Sequence, residues 1–315
     1  MLLAMKSSFI KILVFIGIIS VVVYACKQKS GDAGQATETV IEGTATVYVD
    51  ETVQPIIEDQ VSVFESQYKA KINLVNKSES EVVNALLADK ARIAILSRKL
   101  TTEEENHFKQ KKITPKITHF ASDAIVLVTN STSQDTLVDL QEVINLLQEK
   151  ESKIKGLVFE NPNSSTVSYM NNLAGVKKGQ KKNIYSLNSH KEVLEYVAKN
   201  PGTIGVIGLN LLVQPFEDTA QYMDNITVMS VRNVKSQPNN TLYYKPNQFN
   251  LGEGLYPLKR PIYMLNYQGT AGLGMGFASF VAGEIGQRII LKSGLLPVRI
   301  PSMELNVRKE IINNK

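Results

Sequence analysis

Hydroxyl side chains are concentrated in one short turn of the sequence, Ser164-Ser165-Thr166. This turn follows the apolar run Gly156-Leu157-Val158-Phe159 and precedes a segment that can form a helix. The first turn of a helix has backbone N–H groups without intrahelical partners, and the helix dipole adds positive potential there. Hydroxyl donors beside these N–H groups can complete the shell of an oxyanion. The turn is therefore either an ordinary helix cap or one side of an anion site.

Three further polar turns each follow a predicted strand and precede a predicted helix. Their candidate anion-binding residues are Thr52, Ser78, Ser97 and Arg98. The alternation of strands and helices predicts an α/β fold with a largely parallel sheet. Ligands of such sheets bind beyond the carboxyl ends of the strands. We therefore expect turns from several strands to supply donors to one ligand.

The apolar pattern predicts the elements that position these turns. A strand is expected over residues 44–49, and the helix after it has Pro55 in its first turn. Residues 232–255 are rich in Asn, Pro and Gly and predict a loop or an excursion at the edge of a lobe. One last helix is expected between about Leu273 and Ser293, with an inward face made of Phe277, Phe280, Val281, Ile285 and Ile289.

Length and composition exclude several classes of protein. At 315 residues the chain is expected to form two lobes rather than one core. The net charge of +5 is too small and too scattered to predict nucleic-acid binding. The single Cys and the three His residues have no metal-ligand spacing, so neither a metal nor a cofactor is predicted. An enzyme is disfavoured because no Ser/His/Asp set and no nucleotide-binding glycine loop is found.

The N-terminus has the pattern of an export signal. Residues 1–25 contain two Lys residues followed by an apolar run that is too short to span a bilayer comfortably. The run ends in Val23-Tyr24-Ala25-Cys26, which resembles a bacterial lipobox, although Tyr24 is bulkier than usual. Acylated Cys26 would anchor an exported protein to a membrane of the bacterial cell envelope, with residues 26–42 as a flexible tether. The alternative is a signal anchor with an incidental Cys.

Several segments together resemble the phosphate-binding proteins of bacterial ABC importers, which are type II periplasmic binding proteins. They occur in the order of that family between about residues 43 and 300. The matching segments are Asp50–Pro55, Ile93–Leu100 with its Ser97-Arg98-Lys99-Leu100 end, Ala121–Val128, Ser164–Thr166, Asn200–Gly208, Tyr256–Tyr263, Gly286-Gln287 and Gly294–Pro297. No single segment is specific for this family, but the ordered set of segments is.

This resemblance implies a fold with mixed sheets and two lobes that close over an interlobe cleft. Lobe 1 would comprise residues 43–124 and 260–315, and lobe 2 residues 125–259. The strands Asp123–Asn130 and Tyr256–Leu265 would form the hinge. The resemblance implies a monomer that binds inorganic phosphate tightly, delivers it to an ABC permease, and makes or breaks no bond. The anion contacts carried over by motif position are Thr52, Ser78, Ser97, Arg98, Ser164, Ser165 and Thr166.

Selection of phosphate over sulfate would need a proton acceptor, because hydrogen phosphate carries a proton that sulfate lacks. A buried carboxylate accepts this proton and repels sulfate. The candidates are Asp50, Glu51 and Asp123. The competing interpretations are loop caps for Asp50 and Glu51 and a hinge hydrogen bond for Asp123.

One departure from the family concerns the charge of the site. Relatives have a Ser-Gly-Thr turn where this chain has Ser164-Ser165-Thr166. They place an Arg shortly before this turn or two residues after its Thr, and at these positions this chain has Glu160 and Ser168. Arg98 is then the only evident cation, although dipoles and hydroxyls can bind an oxyanion alone. The alternatives are another oxyanion such as sulfate or molybdate, and a phosphate-sensing surface lipoprotein without a permease partner.

Overall fold

The structure is a computed structural model that describes residues 38–177, 179 and 182–301. The predicted signal peptide, Cys26 and the tether as far as residue 37 lie outside the described residues. The first strand begins at Glu42, which is the last residue of the predicted tether. Where the chain is described, no helix has both the length and the apolar character that crossing a membrane requires.

The first part of the chain alternates strands and helices as the sequence predicts. Its elements are β1 (Glu42–Asp50), α1 (Gln54–Gln67), β2 (Lys69–Lys77), α2 (Glu79–Leu87), β3 (Ile93–Leu96) and α3 (Thr102–Gln110). Pro55 lies in the first turn of α1, and capping boxes at Ser78 and Thr101 begin α2 and α3. β1 pairs in parallel with β2 and β3, so the turns that follow these strands lie at one edge of the sheet.

The middle of the chain begins with one long strand and continues with shorter elements. These are β4 (Lys116–Asn130), β5 (Leu137–Asp139), α4 (Leu140–Leu147), β6 (Leu157–Phe159), α5 (Ser165–Ala174), β7 (Ile184–Ser186), α6 (His190–Lys199) and β8 (Ile204–Gly208). The remaining elements are α7 (Leu209–Val213), α8 (Glu217–Ala220), β9 (Ile226–Val228), β10 (Ser230–Arg232), α9 (Gln248–Gly252), β11 (Lys259–Asn266), α10 (Leu273–Ala282), α11 (Glu284–Lys292) and β12 (Leu296–Pro297).

The main sheet has the strand order β2-β1-β3-β11-β4-β8-β6-β7. β11 runs antiparallel to β3 and β4, and β8 runs antiparallel to β4, whereas β6 is parallel to β7 and β8. The parallel sheet expected from the alternation of elements is therefore found only in the two outer parts. The mixed sheet that the family resemblance implies is confirmed.

β4 connects the two outer parts of the sheet. It pairs with β11 as far as Ala124 and with β8 from Ile125 onward. This change of partner falls at the predicted limit between lobe 1 and lobe 2. The lobe assignment and the hinge role of β4 and β11 stay predictions.

Two predictions about local structure are wrong. The C-terminal segment is two helices rather than one, because Gly283 adopts an extended conformation with ψ of 175° between α10 and α11. The break shifts the helical phase, so Ile285 is 42% exposed instead of facing inward. The predicted loop over residues 232–255 contains the short helix α9.

Aromatic packing holds α1 against α10 and so restrains the turn that precedes α1. The ring of Phe64 in α1 lies 5.3 Å from Phe277 and 5.2 Å from Phe280, both in α10. Both pairs have the edge-to-face geometry that aromatic rings prefer. Because α1 starts directly after the turn at Thr52, its packing restrains the position of that hydroxyl.

Candidate functional site

The turn after β1 places a carboxylate and a hydroxyl side by side. Asp50 caps the 3-10 turn Glu51–Val53, accepting hydrogen bonds from the Thr52 backbone N–H at 3.1 Å and from the Thr52 hydroxyl at 3.0 Å. Ser97, at the end of β3, donates to the other oxygen of Asp50 at 3.3 Å. All three side chains are buried. Two neighbouring strand ends therefore meet, as the sequence predicts.

The turn after β6 repeats this arrangement in the other part of the sheet. Ser164 is the N-cap of α5 and accepts a hydrogen bond from the backbone N–H of Val167. The hydroxyls of Ser164 and Thr166 are 2.8 Å apart, and Thr166 donates to Glu160. Ser165 is the first residue of α5, where the helix dipole is positive.

Arg260 joins the two turns. Its guanidinium donates to the Ser165 hydroxyl at 2.8 Å and to the Thr52 hydroxyl at 3.0 Å. It also pairs with the Asp123 carboxylate, with 2.6 Å from Nη2 and 3.0 Å from Nε. The two hydroxyls are 2.9 Å apart, and none of these four residues is more than 1% exposed. We call Thr52, Asp123, Ser165 and Arg260 the Arg260 cluster.

The hydrogen bonds of this cluster fix the direction of each hydroxyl proton. The Thr52 hydroxyl has one proton, which it donates to Asp50. Its oxygen then accepts from both Arg260 and Ser165, which uses both of its lone pairs. The result is a directed chain of donors that runs from Arg260 through Thr52 to Asp50.

Gly208, at the end of β8, makes room for the guanidinium. A Cβ at this position would lie 2.7 Å from Nη2 of Arg260 and 3.2 Å from the carbonyl oxygen of Thr52. The first contact is with the end of a long side chain, but Arg260 is held there by Asp123 and two hydroxyls. An alanine would therefore push the guanidinium off its partners.

Burial and charge act in opposite directions on the ion pair of the cluster. Burial raises the pKa of Asp123, while the Arg260 guanidinium and the Asn210 backbone N–H, 3.2 Å from Oδ1, act to lower it. Burial acts to lower the pKa of Arg260, but Asp123 and Asp50 raise it overall. Arg260 is therefore a permanent buried cation.

Glu160 is the least satisfied polar group at the site. Its Oε1 accepts from Thr166, whereas its Oε2 is buried and has no hydrogen-bond partner among the described residues. Burial raises the pKa of Glu160 to about 7, although the Thr166 hydroxyl acts against this shift. The group can therefore gain or lose a proton near neutral pH.

The structure brings many of the predicted site residues together. Asp50, Thr52, Ser97, Asp123 and Ser165 lie in or beside the Arg260 cluster. Ser164 and Thr166 reach the site through the Thr166–Glu160 hydrogen bond rather than by bonds to Arg260.

Two other predicted residues, Ser78 and Glu51, have partners elsewhere. Ser78 donates to Glu81 at 2.6 Å as part of the α2 capping box. Glu51 accepts from Asn161 at 3.4 Å, and its pKa is raised by burial. Their roles in binding or selection stay predictions.

Arg98 is bonded to carboxylates rather than to the predicted hydroxyls. It donates to Glu79 at 3.0 Å and to Glu104 at 2.7 Å, and its side chain is 26% exposed. The prediction that Arg98 is the only evident cation is wrong, because Arg260 is a fully buried cation bonded to the predicted hydroxyls. Arg98 and Ser97 also line a pocket that reaches Ser165.

Sequence reasoning missed Arg260 as a site residue, although a signal was present. Along β11, buried residues alternate with less buried ones, and Arg260 lies on the same face as Ile262 and Met264. An Arg in the buried register of a strand is rare unless it is paired. Glu160 was noticed only as a substitution for a family Arg, and its burial was not expected. In the described part of the chain, no group of His, Cys, Asp and Glu side chains could hold a metal ion.

Comparison with known proteins places the chain in a family. Residues 34–284 match the profile of the PBP superfamily domain. The chain belongs to the PBP superfamily. Among curated proteins, no sequence is significantly similar to it.

Solved structures share the fold of this PBP-superfamily protein. A Clostridium perfringens protein with bound phosphate, assigned as a phosphate ABC transporter substrate-binding protein, matches with a TM-score of 0.66 and 18% identity, covering 82% of this chain and 100% of its own. An ABC-type phosphate transport receptor from Vibrio cholerae matches with a TM-score of 0.59 and 18% identity, over 80% and 98% of the two chains. PstS from Borrelia burgdorferi matches with a TM-score of 0.51 and 20% identity, covering 82% of this chain and 100% of its own. The predicted PstS-like, two-lobe fold is confirmed.

Proposed function

We propose that this protein binds inorganic phosphate at the Arg260 cluster and delivers it to an ABC importer. The observation that carries the proposal is the meeting of Thr52 and Ser165, from two separate strand–turn–helix units, on one buried guanidinium. An oxyanion at this point has hydroxyl donors from both parts of the sheet and a cation between them. The relatives in Clostridium perfringens and Vibrio cholerae, which are named as phosphate proteins, support this choice of ligand.

Binding exchanges hydrogen bonds within the cluster for hydrogen bonds to the anion. The hydroxyls of Thr52 and Ser165 turn from each other toward the oxyanion, and Arg260 keeps Asp123 while it shares its remaining N–H groups with the ligand. Charge-assisted bonds from a guanidinium are stronger than those between neutral groups. The N-terminus of α5 adds a favourable dipole at Ser165. No covalent bond is made or broken in this mechanism.

Carboxyl groups around the cluster would select phosphate over sulfate. Asp50 and Glu160 are both buried beside the hydroxyls, and hydrogen phosphate can donate its proton to such a group. Sulfate has no proton to donate and would be repelled.

The N-terminal sequence supports the proposed location, and the resemblance to binding proteins of ABC importers supports delivery to a permease. We propose that the protein is exported, that Cys26 is acylated, and that a monomer on the membrane surface passes phosphate to an inner-membrane permease. Cys26→Ala should move the protein from the membrane fraction to the soluble fraction. Unchanged membrane association would contradict acylation at this residue.

Calorimetric titration tests the choice of ligand directly. The purified protein is unfolded, dialysed and refolded to remove any bound anion, and is then titrated with phosphate and, separately, with sulfate. We expect saturable 1:1 binding of phosphate and much weaker binding of sulfate. If neither anion binds, the proposed function is wrong, and equal affinities would contradict selection by a carboxyl group.

A further inference from the structure

A pocket of about 210 Å³ extends from the Arg260 cluster to the surface. Its inner end is formed by the buried hydroxyl residues Ser97 and Ser165, and its outer end by the exposed residues Asn172 and Leu173. The pocket therefore connects solvent with Ser165, one of the two hydroxyls that we assign to the anion.

One wall of the pocket is a single face of α5. Its residues are spaced as neighbours on a helix surface, and they are Ser165, Ser168, Tyr169, Asn172 and Leu173. Ser168, a small residue in the middle of this face, donates a hydrogen bond to Glu79. Tyr169 is held by a 3.2 Å bond from its hydroxyl to the carbonyl of Lys259. The wall thus offers hydroxyl and amide groups beside an apolar rim.

A second wall of the pocket is acidic. Glu79, whose side chain is 4% exposed, and Arg98 line it, and Arg98 is bonded to both Glu79 and Glu104. One guanidinium faces two carboxylates, so the positive charge of Arg98 is already compensated. This wall favours a neutral group over an anionic one.

The pocket is larger than a tetrahedral anion requires. Such an anion displaces roughly two or three water molecules, each with a share of liquid volume of about 30 Å³. Room for several further non-hydrogen atoms remains between Ser165 and the outer residues Asn172 and Leu173.

We propose that this pocket holds the organic substituent of a small phosphomonoester, with the phosphoryl group at the Arg260 cluster. The substituent is neutral and hydroxylated, of about the size of glycerol, because the lining combines hydroxyl and amide groups with a compensated cation. This inference rests on the proposed function, since it places the phosphoryl group where phosphate binds. It widens the ligand class from inorganic phosphate to phosphate and its small esters.

Titrations with three ligands test the inference: inorganic phosphate, glycerol 3-phosphate and phosphoglycolate. Glycerol 3-phosphate should bind within about tenfold of phosphate, and phosphoglycolate at least about tenfold more weakly than glycerol 3-phosphate, because its carboxylate meets the acidic wall. Binding of phosphate without binding of glycerol 3-phosphate overturns this inference and leaves the proposed function intact. Binding of the ester without inorganic phosphate supports the pocket and overturns the proposed function.

Variants of α5 separate the pocket from the cluster. Ser168→Leu fills the pocket. It should weaken the binding of glycerol 3-phosphate at least about tenfold and change the affinity for phosphate less than about threefold. Ser168→Ala leaves the volume of the pocket free and should retain the affinity for glycerol 3-phosphate. Val167→Leu adds a methylene group to the same helix away from this pocket, and it should change the affinity for neither ligand. Equal loss of both ligands in Ser168→Leu, with a native melting profile, would overturn the inference.

Discussion

The turn after β1 and the turn after β6 each carry a carboxyl group at a strand end and a hydroxyl group beside a helix start. Asp50 accepts hydrogen bonds at both oxygens, from Thr52 and from Ser97 of a third strand. Glu160 accepts at one oxygen only, from Thr166. The same local arrangement thus gives a carboxyl group with donors at both oxygens in one turn and a carboxyl group with a donor at one oxygen in the other. The number of donors that other elements bring to each carboxyl group makes this difference.

Arg260 is what both turns share, and its removal should have the largest effect. Arg260→Met leaves Asp123 buried without its cation, which should lower the free energy of unfolding by about 3–5 kcal/mol and abolish phosphate binding. Chemical denaturation and calorimetry measure the two effects. The double variant Arg260→Met/Asp123→Asn should recover part of the stability but none of the binding. Retained phosphate binding in either variant would show that Arg260 is not part of the binding site.

Glu160→Gln should make the stability of the protein less dependent on pH. The pKa of Glu160 is raised to about 7 from 4.5, so the folded state binds its proton more tightly than the unfolded state does. This extra stability is fully present below about pH 4.5 and is lost as pH rises through 7. Above pH 7 the wild type should therefore be less stable than the variant by about 3 kcal/mol, a difference that vanishes in acid.

Denaturation curves of the wild type and Glu160→Gln between pH 5 and 8.5 measure this difference. A Glu160→Gln difference that is constant with pH would show that Glu160 does not titrate in this range.

Hydroxyl removal distinguishes the two turns by function. Thr52→Val deletes a hydroxyl bonded to Arg260, Ser165 and Asp50, and it should weaken phosphate binding about tenfold, equivalent to about 1.4 kcal/mol. Thr166→Val deletes the one partner of Glu160, so its effect should fall on stability rather than affinity. Calorimetry and thermal melting of both variants test this contrast. Equal losses of affinity would place Thr166 in the site as directly as Thr52.

The smallest effect is expected at Arg98. Its guanidinium is partly exposed and already bonded to Glu79 and Glu104, so Arg98→Gln should change phosphate affinity less than about fivefold, or about 1 kcal/mol. Calorimetry against the wild type measures it. A loss comparable to that of Arg260→Met would restore Arg98 as the main cation of the site.

Much of the local structure could be predicted from the sequence. Pro55 in the first turn of α1 and the hydroxyl turn at Ser164 are found where the sequence pattern places them. Such features depend on residues three or four positions apart, whose contacts are fixed once the helix forms. The break at Gly283 was missed because the apolar residues continue across it.

The central strands and the site were harder to predict. Alternating strands and helices indicated parallel pairing, but β11 returns from the end of the chain to lie antiparallel beside β4. Arg98 was chosen as the cation because it adjoins Ser97 in the sequence. Its actual partners are two carboxylates, and adjacency along the chain does not specify them.

The sequence by itself determined the family, the strand–turn–helix units and the hydroxyl groups that each unit offers. Only the tertiary structure decided which charge these hydroxyls meet. Arg260 is 208 positions from Thr52, 95 from Ser165 and 137 from Asp123, and all three contact its guanidinium. Pairing of β11 with β4 and the absence of a side chain at Gly208 place it there. These contacts depend on packing between distant segments, which local patterns of residues do not encode.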